Sequence, residues 1–237
     1  KMKNITPLPS LISFDKLTKL NNLEIDARML ESMKSGIPRV DELFSFEGGI
    51  PCATNIMAIG DPGVGKTSML LDILASVQKG GRKCLFISAE MGKKQMYKYN
   101  TKDLIEQVLD LGFDCVLIDS MAEVIDGVRD DNNWDRKTAE SWLVETCIRN
   151  NKGENKEKKY TSFLLIQQVT KAGEFVGSNK LKHVTDALLE MRRKSDREGG
   201  DAYMSFQKNR NGKVEQQLSF ELSNKKIAYG MITGNEE

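Results

Sequence analysis

The stretch GDPGVGKTS, residues 60–68, follows the apolar run TNIMAIG (54–60) and precedes an amphipathic segment that begins at Lys66. Its glycines let the backbone curl so that successive N–H groups point inward at a phosphate, and a helix N-terminus adds partial positive charge. The stretch matches G-x-x-x-x-G-K-[ST], in which the lysine reaches the β- and γ-phosphates. The sequence therefore predicts a strand, a phosphate-binding loop and a helix in direct succession.

The nucleotide site predicted from this loop binds ATP together with Mg²⁺. Nine consecutive residues form its ATP-binding part: Gly60, Asp61, Pro62, Gly63, Val64, Gly65, Lys66, Thr67 and Ser68. The apolar run CVLIDS (115–120) ends in an acid, which places Asp119 at the sheet edge beside the loop. We therefore expect Thr67 and Asp119 to hold Mg²⁺ from two sides, and Lys66 to act catalytically at the γ-phosphate.

Two residues at the ends of predicted strands are candidates for hydrolysis, which needs a group to orient or deprotonate water. Glu90 ends the run KCLFISAE (83–90), where a carboxylate lies near the γ-phosphate; the alternative is an acid in the first turn of a helix. Gln168 ends TSFLLIQQ (161–168), and its amide could sense the γ-phosphate and pass its state to the following loop. Gln167 should face away, because alternate strand residues point to opposite faces.

The chain as a whole alternates between apolar strands and amphipathic helices up to about residue 168. That rhythm predicts an α/β fold with a mainly parallel, twisted sheet and helices on both faces. Three later segments alternate between polar and apolar residues and predict an antiparallel C-terminal extension: DALLEMRR (186–193), DAYMSFQKNR (201–210) and KVEQQLSFEL (213–222). We divide the chain into two parts. Residues 1–35 form a linker with a short helix near residues 23–33, and residues 36–237 form the core.

The composition of the 237-residue chain is typical of a soluble globular protein, with a net charge of +1. No global field therefore draws it to nucleic acid, so any such binding must come from a local patch. The sequence contains no run of about 18 apolar residues, so it predicts no membrane span. The four cysteines lie far apart and one histidine is present, which argues against a zinc site and favours reduced thiols in the cytoplasm.

The stretch FQKNRNGKV, residues 206–214, places two cations at the predicted tip of a β-hairpin. Lys208 and Arg210 are two apart on a strand, so both side chains share one face and suit a two-pronged contact with a phosphate. A solvated turn is the alternative. The hairpin sequence by itself leaves both interpretations open.

These motifs together resemble the RecA-fold motor ATPases over about residues 35–222, most of all the RadA/Sms branch-migration helicases, with the DnaB-type replicative helicases next. The similar stretches are SGIPRVDEL (35–43), GDPGVGKTS (60–68), ISAEM (87–91), VTKAGEFVGSNKLKHVTDALLEM (169–191) and KNRNG (208–212). The resemblance implies a RecA-like phosphate-loop core that hydrolyses ATP between the subunits of a ring, such as a hexamer, or of a filament. Lys208 and Arg210 would then be catalytic, stabilising charge at the γ-phosphate bound by the neighbouring subunit.

Two predicted loops are the candidates for contact with single-stranded DNA. The first, which in the resembled fold faces the ring axis, is rich in glycine and carries three spaced lysines: Lys171, Lys180 and Lys182. Such a loop suits sequence-independent contact with phosphates. The companion loop, DGVRDDNNW (126–134), has Arg129 as its one cation beside three acids. Ordinary solvated loops are the alternative for both.

The function predicted from this set is a DNA-dependent ATPase motor that translocates on, or remodels, single-stranded DNA in helicase, branch-migration or recombination reactions. Replication or recombination proteins would be further partners. The alternative is a KaiC-like ATPase that regulates or scaffolds a protein partner. The lysines of the first loop favour DNA, and a water-activating acid such as Glu90 favours turnover over a purely structural use of nucleotide.

Overall fold

The computed structural model describes residues 25–89, 100–167, 185–193, 202–223 and 226–234. Ten strands occur in these residues: β1 (Ser32–Met33), β2 (Ile50–Pro51), β3 (Asn55–Gly60), β4 (Cys84–Ser88), β5 (Cys115–Asp119), β6 (Ser162–Ile166), β7 (Ala187–Arg193), β8 (Ala202–Asn209), β9 (Gln217–Leu222) and β10 (Ile227–Thr233). Five α-helices accompany them: α1 (Pro38–Phe44), α2 (Lys66–Lys79), α3 (Thr101–Leu109), α4 (Met121–Asn132) and α5 (Arg136–Asn151).

The main sheet has eight strands in the order β10-β9-β8-β7-β3-β6-β5-β4. The five strands from β7 to β4 run parallel, and the strands from β7 to β10 pair antiparallel. β1 and β2 form a separate antiparallel pair. This arrangement confirms the predicted fold class, a RecA-like α/β core with an antiparallel C-terminal extension.

Successive residues of the central strand β3 point to opposite faces of the sheet and enter two hydrophobic clusters. Ile56 and Ala58 pack with residues of α1 and α2, whereas Met57 and Ile59 pack with residues of α3, α4 and α5. The side of α2 toward the sheet carries apolar residues three and four apart: Met69, Leu70, Ile73, Leu74 and Val77. Helices therefore cover both faces, and all six residues of β3 are buried.

The direction of β7 differs from the prediction for DALLEMRR. β7 pairs in parallel with β3, with Ile56 opposite Ala187 and Gly60 opposite Met191, and only its other edge pairs antiparallel with β8. The predicted alternation is present, since Ala187, Leu189 and Met191 are buried. Alternation reports which side chains are covered and carries no information on strand direction. β7 is thus the last parallel strand, and its carboxyl end lies beside the phosphate loop.

The segment 126–134, predicted as a DNA-binding loop, lies mostly in helix α4. The buried residues Met121, Val124, Ile125 and Val128 have helical spacing and define the inward face. Arg129 is on the other side, where its guanidinium lies 3.1 Å from Asp126 and 2.8 Å from Asp130. The loop assignment was wrong because it followed the family resemblance and not the apolar periodicity of the segment, and Arg129 is engaged by carboxylates of its own helix.

The amino-terminal segment also differs from expectation where it is described. Residues 27–30 form one 3₁₀ turn, in place of the predicted helix, and β1 follows. Met33 is fully buried in the core, and β1 pairs with β2. The division of the chain at residue 35 stays a prediction. No helix in the described ranges is both long and apolar enough to cross a membrane.

Packing between β8 and α1 gives a first prediction. The rings of Phe206 and Phe44 meet edge-to-face, with centroids 5.2 Å apart, and both side chains are at most 1% exposed. We expect Phe206→Ala to lower the free energy of unfolding by about 3–5 kcal/mol, because a buried ring is replaced by a cavity. Phe46→Ala is the matched control, since Phe46 is 72% exposed. Equal losses in chemical denaturation would contradict the packing.

Candidate ATP-binding site

The phosphate loop lies between the end of β3 and the start of α2, as the sequence predicted. Gly65 caps α2 in the left-handed conformation, with φ of 95°. Gly60 has φ of 146°, and a Cβ at this position would lie 1.9 Å from the carbonyl oxygen of Met191. Glycine is therefore required at residue 60 because β7 approaches the loop backbone too closely for any side chain.

The side chain of Lys66 closes over the inside of this loop. Its Nζ donates to the carbonyl oxygens of Gly60, at 2.9 Å, and Asp61, at 3.0 Å. Burial lowers the pKa of Lys66, and the carboxylates of Asp61 and Asp119 act in the opposite direction. Incoming phosphate oxygens would replace the two carbonyls as partners of this ammonium and would favour its charged form.

Thr67 and Asp119 lie together, although 52 positions separate them in the chain. The Thr67 hydroxyl donates to Asp119 Oδ2 at 2.6 Å, and Asp119, at the end of β5, is only 7% exposed. The peptide bond that follows Asp119 is cis. A hydroxyl and a carboxylate are hard oxygen ligands of the kind that Mg²⁺ prefers, so these two residues fit the predicted metal site.

The carboxyl end of β7 supplies contacts to the loop that sequence reasoning missed. Arg192 pairs with the Asp61 carboxylate at 3.1 Å, and Arg193 donates from its side chain to the Gly63 carbonyl at 2.6 Å. The Arg193 backbone N–H also donates to Asp61. The run EMRR would have indicated this site if DALLEMRR had been taken as a parallel neighbour of β3, because parallel strands end at the same sheet edge.

The two cations of KNRNG lie at the opposite end of the sheet. Lys208 on β8 is opposite Leu188 on β7, and its Nζ donates to the carbonyl of Thr185, just before β7 begins. Burial lowers the pKa of Lys208, and the charge of Arg210 lowers it further. Lys208 contacts Thr185 and Arg210 contacts the next residue, Asp186, so the two cations lie close to each other.

Asp186 fixes the position of Arg210 relative to the central strand. One carboxylate oxygen lies 2.8 Å from the Arg210 guanidinium, and the other accepts from the backbone N–H of Asn55 at 2.9 Å. Asn55 begins β3 and the phosphate loop follows its other end. Five residue steps of about 3.3 Å separate the two ends, roughly 17 Å. Arg210 therefore cannot contact phosphates bound by the loop of its own subunit.

The connection between β8 and β9 packs against α1. The N–H of Phe46 donates to the Asn211 carbonyl at 2.9 Å, and the Asn209 side chain donates to the carbonyl of Phe44 at 3.0 Å. The Arg210 side chain nevertheless remains 57% exposed. The connection is thus held by hydrogen bonds to the backbone of residues 44–46, while more than half of the Arg210 side chain stays exposed.

The remaining predicted site residues lie outside the described part of the chain: Glu90, Gln168, Lys171, Lys180 and Lys182. Two described residues, Ala89 and Gln167, precede the first two of them in the chain. Ala89 donates from its backbone to the carbonyl of Asp119, and Gln167 donates to that of Ala58. Glu90 and Gln168 therefore follow strands that end at the same sheet edge as the phosphate loop. Their roles stay predictions.

Replacement of Lys66 tests the loop as a nucleotide site. Lys66→Ala removes the ammonium that lies inside the loop, so we expect binding of Mg-ATP and ATP hydrolysis to fall below detection. Calorimetric titration with Mg-ATP and a turnover assay measure the two effects. Lys79→Ala is the matched control, because Lys79 ends the same helix away from the loop. Turnover close to that of the unmodified chain in Lys66→Ala would contradict the assignment.

Comparison with known proteins shows what this chain is similar to. A family model described as "ATPase: KaiC" matches residues 33–141. Proteins named DNA repair protein RadA are similar. That of Rickettsia prowazekii is 27% identical over 76% of this chain and 43% of its own length. That of Mycobacterium tuberculosis is 23% identical over 81% of this chain and 42% of its own length. The chain thus spans less than half the length of these relatives.

A solved structure agrees with the sequence comparisons. The KaiC-like protein of the hyperthermophilic archaeon Pyrococcus horikoshii superimposes with a TM-score of 0.64 at 16% identity, over 85% of this chain and all of that protein. This likeness establishes the fold. Together with the family match over less than half of the chain and the assembled phosphate loop, it makes the chain similar to RecA-like ATPases of the KaiC and RadA type.

Proposed function

We propose that this chain is a DNA-stimulated ATPase motor whose subunits assemble head to tail, with each ATP bound between two neighbours. The observation that carries the proposal is the position of Arg210, exposed at the end of the sheet opposite the phosphate loop. An arginine in this place serves nucleotide chemistry only when it reaches the site of another subunit. A ring, such as a hexamer, or a filament provides that contact for every subunit.

Each proposed site combines two chains with different tasks. One subunit binds the phosphates through its loop and Lys66, and Thr67 and Asp119 would hold Mg²⁺, which supplies charge neutralisation at the phosphates. The neighbour contributes Arg210, with Lys208 beside it, to stabilise the charge that develops on the transferred phosphoryl group. Hydrolysis then depends on assembly, since the loop and the arginine of one chain lie at opposite ends of β3 and cannot meet.

The remaining catalytic tasks fall to the strand ends beside the loop. Glu90 is proposed to activate the attacking water, and Gln168 to sense the γ-phosphate. Gln168 opens the segment that carries Lys171, Lys180 and Lys182, so a response at the γ-phosphate would pass directly to the proposed DNA contact. The similarity to proteins named for DNA repair supports DNA as the polymer on which the motor acts.

The KaiC family match favours a second candidate, an ATPase that regulates or scaffolds a protein partner. The two candidates share the ATP site and differ in the second ligand. ATP turnover measured with and without single-stranded DNA, with assembly size followed in parallel, separates them. Stimulation by DNA supports the motor, and turnover of an assembled ATPase that ignores DNA supports the regulator.

The division of the site between subunits predicts that two inactive variants restore each other. Arg210→Ala keeps an intact phosphate loop and should hydrolyse ATP about 10³-fold more slowly, because the transition-state charge is uncompensated. Lys66→Ala keeps an intact arginine and has no usable loop. In a mixture, some interfaces pair the loop of the first variant with the arginine of the second, and we expect activity at these interfaces.

The mixing experiment needs two controls. Assembly of the mixture is followed by sizing, so that a lack of activity can be separated from a lack of contact. In a parallel set of measurements, the variant Arg149→Ala is used in place of Arg210→Ala. Arg149 is a half-exposed arginine on α5, away from both halves of the site. No recovery in a mixture that co-assembles would exclude an arginine acting between subunits.

The proposed DNA contact predicts a change in salt dependence. Replacement of Lys171, Lys180 and Lys182 by glutamine should weaken binding of single-stranded DNA and reduce the slope of log affinity against log salt, because fewer counterions are released. Fluorescence anisotropy over a salt series measures both. Arg129→Gln is the matched control, since that guanidinium is held by Asp126 and Asp130, and it should leave affinity unchanged. Unchanged affinity in the triple variant would place the contact elsewhere.

A further inference from the structure

The phosphate loop has an inner and an outer side, and the described contacts distinguish them. On the inner side, the carbonyl of Asp61 accepts from Lys66 Nζ at 3.0 Å and from the backbone N–H of Val64 at 3.3 Å. On the outer side, the Arg193 guanidinium donates to the carbonyl of Gly63 at 2.6 Å. The loop is thus held from β7 on the side that faces away from the predicted phosphates.

The outer contact determines the direction of an inner donor. The Gly63 carbonyl and the Val64 N–H belong to one planar trans peptide unit, so they point in opposite directions. When Arg193 holds the oxygen outward, the Val64 N–H is directed to the side where Lys66 lies, and there it donates to the Asp61 carbonyl, a partner that a phosphate oxygen would replace. Inward-pointing N–H groups are what such a loop offers to a phosphate.

A second residue of the loop, Asp61, is held from the same strand. The Asp61 carboxylate accepts from Arg192 at 3.1 Å and from the backbone N–H of Arg193 at 3.2 Å. Arg192 is in turn held by Glu190 at 2.7 Å, and Glu190 accepts from Gln207 on β8 at 2.8 Å. This chain of contacts connects the loop to two strands of the sheet, so the position of the arginines is itself well defined.

We propose that Arg193 is a positioning residue for nucleotide binding, which holds the phosphate loop from outside and keeps the Val64 N–H directed to the side where the phosphates are expected. The inference rests on the proposed ATP site and is independent of the DNA and assembly parts of the proposed function. It assigns Arg193 to binding and not to chemistry, since the guanidinium contacts loop backbone. Loss of Arg193 should therefore weaken nucleotide affinity and leave saturated turnover nearly unchanged.

Binding of Mg-ADP by calorimetry tests the proposal without the need for hydrolysis. We expect Arg193→Gln to raise the Kd for Mg-ADP about tenfold, and to raise the KM for ATP by a similar factor with kcat within about twofold. Arg193→Lys can still donate to the Gly63 carbonyl and should stay within about threefold of the unmodified chain. Arg39→Gln is the matched control, because Arg39 also donates to backbone carbonyls, those of Tyr229 and Gly230.

Each outcome decides the matter. A Kd within twofold of the unmodified chain in Arg193→Gln, or a fall in kcat at unchanged Kd, would overturn the positioning role. Equal weakening by Arg193→Gln and Arg193→Lys, or by Arg39→Gln, would also overturn it, since the effect would then not depend on this hydrogen bond. An unmodified chain that fails to bind Mg-ADP would overturn the ATP site as well, so the two failures are distinguishable. Thermal denaturation confirms that each variant is folded.

Discussion

The parallel pairing of β3 with β7 positions both halves of the proposed site. At the carboxyl end of the pair, Met191 lies against Gly60 so closely that no side chain fits, and the following arginines hold the loop. At the other end, the residue before β7, Asp186, holds both the start of β3 and the guanidinium of Arg210. A shift of one residue in the register of this pair would displace the loop contacts and the arginine together.

Because β3 separates the phosphate loop from Arg210, its length limits how these two groups can meet. The strand is fully buried and flanked by β6 and β7, so its two ends keep a fixed distance of roughly 17 Å. A loop and an arginine at opposite ends of a rigid strand cannot meet within one chain. They can meet when copies stack in one orientation, and a closed ring or a filament follows from repeating that contact.

The sequence predicted well what local patterns determine and missed what distant contacts determine. The phosphate loop, the apolar strands beside it and the pairing of Thr67 with Asp119 followed from short motifs and from strands that end at one edge. The direction of β7 did not, because alternation records burial only. The segment around Arg129 was assigned as a loop because the family resemblance was followed in place of the helical spacing of its apolar residues. Arg192 and Arg193 were missed because they lie some 130 residues from the loop that they contact.

The ion pair between Asp186 and Arg210 is compatible with a catalytic arginine because it uses only part of the guanidinium. Asp186 accepts from one terminal nitrogen, whereas a guanidinium has five N–H donors in a fixed plane. Among the described residues, no other side chain accepts from Arg210, and the arginine side chain is 57% exposed. The carboxylate also offsets the repulsion between Arg210 and the nearby Lys208, which would otherwise drive the two cations apart. In the proposed two-subunit site, Asp186 therefore orients the arginine toward the neighbour's phosphates while it keeps the pair of cations together before a phosphate arrives.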